Sequence, residues 1–228
     1  MTTTGELEQN MIPEALAARR SVRKFRNEPV PRDILMRIIE AGTRAPSACN
    51  IQGWRFIIVE KPELRLALHE GGGSALIPSS PAGILVAYDN TTKNIPYRDD
   101  VQSAAACIQN MLLAAYALGL GACWICNLPD PSFVRRMFGM PWNYSPVAYL
   151  IIGYPADKAP RDVPRRFRVE DVVGIDCFPV ASQAETPGRL KVIFLRIAYW
   201  CYRITPRFLK KTMLNRFVDR NLTKKFEN

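Results

Sequence analysis

Residues 45–56 read APSACNIQGWRF and join two segments with different patterns. Residues 32–44 carry apolar side chains at helical spacing, whereas residues 55–60 form a short β-branched run that is typical of a buried strand. Pro46 and Gly53 interrupt the stretch between them, and polar side chains recur there at short intervals. A polar, turn-rich connection between two core elements is a common position for binding groups, and the simpler interpretation is a plain helix-to-strand connector.

Helical and strand patterns alternate on both sides of this loop. Helices are predicted over residues 12–20, 32–44, 62–70, 99–121 and 132–140, and strands over 55–60, 82–89, 122–128 and 146–155. Residues 82–89 are a continuous apolar run of the kind found in the middle of a sheet. The helix over 99–121 is apolar nearly all round, which favours burial in a core or at a subunit interface. This order predicts an α/β or α+β domain around a central sheet, without internal repeats.

Charge and cysteine content exclude several classes of protein. The 228 residues have a formal net charge of +10, and residues 187–228 hold most of it, with eleven Lys or Arg against two acidic residues. The remainder is nearly neutral, so the composition does not support a nucleic-acid-binding protein. The N-terminus has no apolar segment typical of a signal peptide, and the six cysteines have no framework-like spacing. These features predict free thiols and a cytoplasmic location.

Histidine, cysteine and glycine patterns limit the possible chemistry. His69 is the one histidine and lies at a predicted helix end, so no catalytic triad and no metal site are predicted. Cys123 and Cys126 form a CWIC motif, but the segment resembles a strand, which favours two buried structural cysteines over a thioredoxin-like pair. Glycine-rich nucleotide-binding motifs are missing, so cationic side chains would have to hold the phosphate of any cofactor.

Two basic clusters could provide those cations. In ARRSVRKF, residues 18–25, three arginines surround Ser21, and guanidinium groups with a hydroxyl suit a phosphate. The second cluster is RRFR at residues 165–168. Basic clusters are usually solvated surface, so neither cluster identifies a site by itself.

Four segments, in this order, resemble the nitroreductase family of FMN-dependent oxidoreductases. They are ARRSVRKFRNEPVP at 18–31, APSACNIQGWRFIIVE at 45–60, the helix and strand over 99–125, and RRFRVEDVV at 165–173. The resemblance spans residues 12–177, with Gly53 and Arg168 standing where the family pattern has proline. It implies an α+β fold, a three-layer α/β/α sandwich with a mostly antiparallel central sheet. It further implies an intertwined homodimer with two FMN molecules at the subunit interface.

The resemblance also implies which residues bind FMN. One subunit would hold the phosphate, the ribityl chain or the pyrimidine edge through Arg19, Arg20, Ser21 and Arg23. The opposite subunit would contribute Pro46, Ser47, Ala48, Asn50 and Gln52. The backbone around Trp124, Ile125 and Cys126 would approach the isoalloxazine, and Arg165 or Arg166 would close on the phosphate, with Arg168 as a third candidate. No catalytic side chain is implied, because the flavin provides the electron chemistry.

The implied activity is ping-pong hydride transfer from NADH or NADPH, through the flavin, to a small-molecule acceptor such as a nitroaromatic or a quinone. Alternatives are a specialised dehydrogenase or reductive dehalogenase of a narrow metabolite, and a flavin-binding protein at a membrane surface. The sequence specifies neither the acceptor nor the preference between NADH and NADPH.

Beyond the FMN-binding domain, predicted over 12–178, residues 179–188 are predicted to be a linker and residues 189–228 a basic amphipathic helical extension. The extension has too many charges to span a bilayer. A cationic stripe beside an aromatic-aliphatic face suits either an arm that packs on the partner subunit or a helix lying on the inner face of the membrane. By analogy with the family we expect the arm.

Overall fold

A computed structural model describes residues 14–91, 94, 96–157, 168–179, 188, 190, 192–194 and 196–197. The chain divides into two compact units, Met1–Val163 and Pro164–Asn228. The helices of the first unit are α1 (Glu14–Ala18), α2 (Arg32–Thr43), α3 (Pro62–Glu70), α4 (Asp99–Ala117) and α5 (Pro131–Phe138). Its strands are β1 (Trp54–Val59), β2 (Ala82–Asp89), β3 (Gly121–Ile125) and β4 (Tyr144–Gly153).

The four strands form one sheet in the order β1-β2-β4-β3, and all three neighbouring pairs are antiparallel. Trp54 lies opposite Tyr88 at one end of the sheet, and Ala82 lies opposite Ile152 at the other. The two central strands are the apolar runs that the sequence indicated, because strands with a neighbour on each side and helices on both faces exclude water. The predicted antiparallel sheet is confirmed.

Alternate side chains of the central strands enter two separate cores. Ile84, Val86 and Leu150 pack with α2 and α4 on one face, whereas Leu85 and Tyr149 pack with α3 and α5 on the other. This period of two is what the pleat of a strand requires. The resulting arrangement is helices, sheet, helices, so the predicted three-layer sandwich is confirmed.

The end of α4 differs slightly from the prediction. The helix ends at Ala117, followed by Gly119 at φ +76°, whereas Gly121 already belongs to β3. A Cβ at Gly121 would lie 2.7 Å from Val22, so the glycine lets the N-terminal segment run close against the strand. β3 is also shorter than predicted. Cys123 is buried within it, but Cys126 lies just beyond its end and is exposed, so the expected burial is wrong for Cys126.

In the second unit, α6 (Val169–Val172) follows Arg168, whose guanidinium lies 3.0 Å from the Asp171 carboxylate. Arg165 and Arg166 lie outside the described residues, as do residues 180–187 of the linker and most of the basic extension. The described extension residues 190, 192–194 and 196–197 are helical. Among the described helices, none has both the length and the apolar character needed to cross a membrane.

Candidate functional site

The segment over residues 19–26, which we call the arginine strip, runs along the β3 edge of the sheet. The Val22 amide donates to the Ala122 carbonyl at 3.1 Å, and the Arg26 amide donates to the Tyr154 carbonyl at 2.9 Å. Ser21 also forms an isolated parallel bridge with Ala122. These bonds fix the backbone of the strip against the strand, so its polar side chains have a defined place at the sheet edge.

The arginines of the strip do not share one role. Arg20 Nη1 donates to the carbonyls of Ala17 and Arg19, at 3.0 Å and 2.8 Å, so its guanidinium caps the end of α1. Arg19 is half-buried, and Arg23 is exposed. The arrangement therefore leaves Arg19 and Arg23 better placed than Arg20 to meet a ligand.

The strip lies beside the CWIC segment. Burial raises the pKa of the Cys123 thiol, while Arg23, a side-chain hydrogen bond with Ser21, and Arg19 act in the opposite direction. The backbone geometry agrees, because Ser21 pairs with Ala122, the residue before Cys123. The fold therefore brings together two clusters that are about a hundred residues apart in sequence.

Trp124, the next residue of β3, presents an unpaired donor. Its indole Nε1 is buried and has no hydrogen-bond partner within the part of the chain that the structure describes. A buried N–H without an acceptor is costly, so such groups often mark positions that an absent ligand or partner satisfies. Ile125 beside it is buried, whereas the exposed Cys126 continues the segment at the surface.

A separate group of polar residues lies in the loop over residues 45–53, which we call the amide loop. It contains a 3-10 turn, Ala48–Asn50, and three non-glycine residues in the left-handed region: Cys49 (φ 49°), Asn50 (φ 56°) and Gln52 (φ 49°). Each such residue costs of order 1 kcal/mol or more, and it persists only where the surroundings fix it. Strained backbone of this kind is concentrated at functional sites.

Hydrogen bonds fix the amide loop in this shape. The Ala48 amide donates to Ser103 Oγ at 3.0 Å, and the Gln52 amide donates to Ser47 Oγ at 3.1 Å. Gln52 Nε2 then donates to Asn50 Oδ1 at 2.8 Å. Asn50 and Gln52 are exposed, so the loop holds two side-chain amides outward in a fixed relation.

Gly53 closes the loop by close packing. A Cβ at this residue would lie 2.8 Å from Cε1 of Tyr88 and 3.2 Å from Cβ of Asp89, and its carbonyl accepts the Asp89 amide at 2.9 Å. The glycine that replaces the family's proline is therefore explained by the Tyr88 ring, which occupies the space that a side chain would need.

Within one chain the arginine strip and the amide loop lie at opposite corners of the sheet. The amide loop leads into Trp54, which lies across the sheet in the same row as Ser145 of β4. Ser21 pairs with Ala122, which lies opposite Ile152 of β4. From Ser145 to Ile152 the strand advances about 23 Å, and four strand spacings across the sheet add about 19 Å at right angles. The amide loop and the arginine strip are therefore about 30 Å apart within a protomer.

A crevice below the amide loop contains acidic residues. It is lined by Ala48, Ile51, Tyr88, Asp89, Asp99, Asp100 and Ser103. Asp89 accepts hydrogen bonds from Thr91, which, with Arg55 nearby, hold the pKa of the Asp89 carboxyl below its ordinary value despite partial burial. In the described residues no three His, Cys, Asp or Glu side chains are arranged to hold a metal ion.

Sequence patterns missed two residues of this arrangement, Ser103 and Tyr88. Ser103 lies in the alanine-rich run QSAAAC of α4, where a serine has little influence on helix formation. The signal that could have identified it is a polar residue on a helix that is otherwise apolar. Tyr88 lies in the continuous apolar run of β2, where nothing distinguishes it from a core aromatic.

The fold and site define a class of protein, an antiparallel α+β sandwich with a cationic strip at one sheet edge and a strained amide loop at the other. The chain matches the model of the nitroreductase family over residues 16–76 and 68–154, and it belongs to that family.

Relatives support this assignment. A Methanothermobacter thermautotrophicus protein named NADH dehydrogenase/NAD(P)H nitroreductase is 34% identical, over 67% of this chain and 82% of the relative. The FMN reductase [NAD(P)H] of Bacillus subtilis is 28% identical, over 66% of this chain and 68% of its own. The solved structure of an FMN-dependent nitroreductase from Clostridium difficile is 25% identical with a TM-score of 0.63, covering 72% of this chain and 98% of that chain.

Proposed function

We propose that the protein is an FMN-dependent oxidoreductase that accepts hydride from NADH or NADPH and passes the electrons to a conjugated acceptor, such as a nitroaromatic or a quinone. The observation that carries the proposal is the arginine strip along β3, because its backbone pairs with Ala122 and so brings two arginines and a hydroxyl to the edge of the strand that contains Cys123. The names of the relatives, which include FMN reductase and FMN-dependent nitroreductase, support the same activity.

The donor set of the strip suits a flavin mononucleotide. Arg19 and Arg23 offer planar guanidinium groups, which match a phosphate in bidentate geometry, and Ser21 adds a hydroxyl. The backbone over Trp124, Ile125 and Cys126 would lie at the ring, and Arg165 or Arg166 would close on the phosphate. FMN, when bound, supplies the hydride chemistry, so the chain needs only to bind, orient and shield it.

The amide loop would complete the site from the partner subunit. Pro46, Ser47, Ala48, Asn50 and Gln52 lie about 30 Å from the strip of their own chain, which is more than one mononucleotide spans. A homodimer in which each loop reaches the other chain's strip removes this conflict, and a two-fold axis generates two equal sites. We therefore include the homodimer in the proposal.

The proposal extends to a cytoplasmic enzyme. The five cysteines that the structure describes are all free thiols, as a reducing compartment leaves them.

The activity is tested with the purified full chain. We expect a yellow protein whose flavin absorbance bleaches when NADH or NADPH is added without oxygen, and recovers when a quinone follows. A colourless protein that takes up no added FMN would refute the proposal.

The shared site is tested by complementation between two variants. Arg23→Ala and Asn50→Ala homodimers should both retain FMN poorly, since each lacks one side of every site. After the chains are mixed and exchanged, about one site in four regains both native sides, because half of the random dimers are mixed and each has one intact site. If strip and loop act within one chain, mixing restores no FMN binding.

A further inference from the structure

Ser103, in the first turns of α4, lies beneath the amide loop. It is 4% exposed, and its hydroxyl forms two hydrogen bonds: it donates to the Asp99 carbonyl at 2.7 Å and accepts the Ala48 amide at 3.0 Å. The bond to Asp99 orients the hydroxyl oxygen, and the bond from Ala48 connects a rigid helix to the backbone of the loop. The two bonded residues are 55 positions apart in sequence.

The hydrogen bonds continue from this tether to the exposed amides. Ala48 follows Ser47, whose hydroxyl accepts the Gln52 amide, and the Gln52 side chain donates to Asn50. Each bond fixes the next group, so the position of Ser103 determines how Asn50 and Gln52 are presented.

Other buried polar groups in the crevice do not hold the loop. The Asp100 Oδ1 atom and the Tyr88 hydroxyl both have no hydrogen-bond partner among the residues described, although these side chains are 5% and 2% exposed. The loop contains three residues in a costly backbone conformation, and such a conformation needs an external constraint. The Ser103 hydroxyl provides such a constraint from α4, in addition to the packing of Gly53 against β2.

We propose that Ser103 is a positioning residue for the cofactor site, holding the strained amide loop in the shape that contacts the flavin bound to the partner chain. The inference rests on the proposed function and adds to it a buried residue that acts through the amide loop.

Ser80 offers a matched control. It is 2% exposed, and its hydroxyl also donates to a backbone carbonyl, that of Ile77 at 3.3 Å. Ser103→Ala and Ser80→Ala each remove one buried hydroxyl, but only the first removes a bond to the amide loop. FMN dissociation constants are measured by flavin fluorescence, and hydrogen exchange is followed in a peptide covering residues 45–53. Both measurements use the full chain.

We expect Ser103→Ala to raise the dissociation constant for FMN about tenfold, as losing one buried hydrogen bond and orphaning its donor would predict. The loop peptide should exchange faster with or without FMN. Ser80→Ala should leave both quantities within about twofold of the wild-type values. The inference is overturned if Ser103→Ala leaves loop exchange unchanged, or if Ser80→Ala weakens FMN binding equally. Failure of the wild-type chain to take up FMN would instead refute the proposed function, and the exchange measurement would still test the tether.

Discussion

Replacing Gly53 by alanine tests whether the amide loop depends on close packing against β2. The new Cβ would lie 2.8 Å from Tyr88 Cε1, a distance at which one of the two atoms has to move. The backbone of Gly53 is not in the left-handed region, so the substitution adds crowding without torsional strain. The proline of the family pattern would place its own Cβ at the same point.

The size of the effect depends on how freely the Tyr88 ring can move. The ring is 2% exposed and packs edge-on against Trp54, with centroids 6.2 Å apart and planes at 72°. A ring held on this side cannot rotate away without disturbing the start of β1. Overpacking at such sites costs about 1–3 kcal/mol, so we expect Gly53→Ala to lower the free energy of unfolding by about that amount.

Urea unfolding followed by tryptophan fluorescence measures this change. Gly188→Ala is the matched control, because its added Cβ would meet no atom within 4 Å, and we expect its stability within about 0.5 kcal/mol of the wild-type value. FMN affinity should fall with Gly53→Ala as the loop shifts. If Gly53→Ala were as stable as the control, the contact with Tyr88 would not be what requires glycine, and the packing explanation would be wrong.

Two further predictions concern buried groups. The Tyr149 hydroxyl is fully buried without a hydrogen-bond partner in the described chain, so Tyr149→Phe should raise the free energy of unfolding by about 1 kcal/mol. A lower free energy of unfolding, measured with urea, would contradict this. Burial raises the pKa of the Cys107 thiol to about 12 from 9.0, so the unfolded chain ionises first and stability falls as the pH rises above 9. Between about pH 8 and 10, urea unfolding should show a smaller decrease in the free energy of unfolding for Cys107→Ala than for the wild type. Equal decreases would contradict this.

Much of the fold could be predicted from hydrophobic patterns because its central elements are buried on more than one side. The apolar run of β2 and the alanine- and leucine-rich α4 correspond closely to residues 82–89 and the helix predicted from residue 99. Hydrophobic patterns predicted the ends of helices and strands less well, because tertiary contacts decide where an element ends. Gly121 was predicted to end a helix but begins a strand, because Val22 packs where its side chain would be.

The site was only partly predictable. The strip and the amide loop were identified through local motifs and family resemblance, but the distance between them depends on strand order, which no local pattern encodes. Ser103 was missed because its function depends on an amide 55 residues earlier in the chain. Cys126 was expected to be buried, yet β3 ends one residue before it, so the strand periodicity that supported burial no longer applies.

The internal bonds of the amide loop also determine what it can offer a ligand. Gln52 Nε2 donates one of its two hydrogens to Asn50 Oδ1. Asn50 Nδ2, a donor, and Gln52 Oε1, an acceptor, take no part in that bond, so both are wholly available to a ligand. A donor beside an acceptor is complementary to a ring edge that carries a carbonyl next to an N–H, as the pyrimidine edge of a flavin does. The tether at Ser103 thus fixes both the position of the loop and the pattern of hydrogen bonding that it presents.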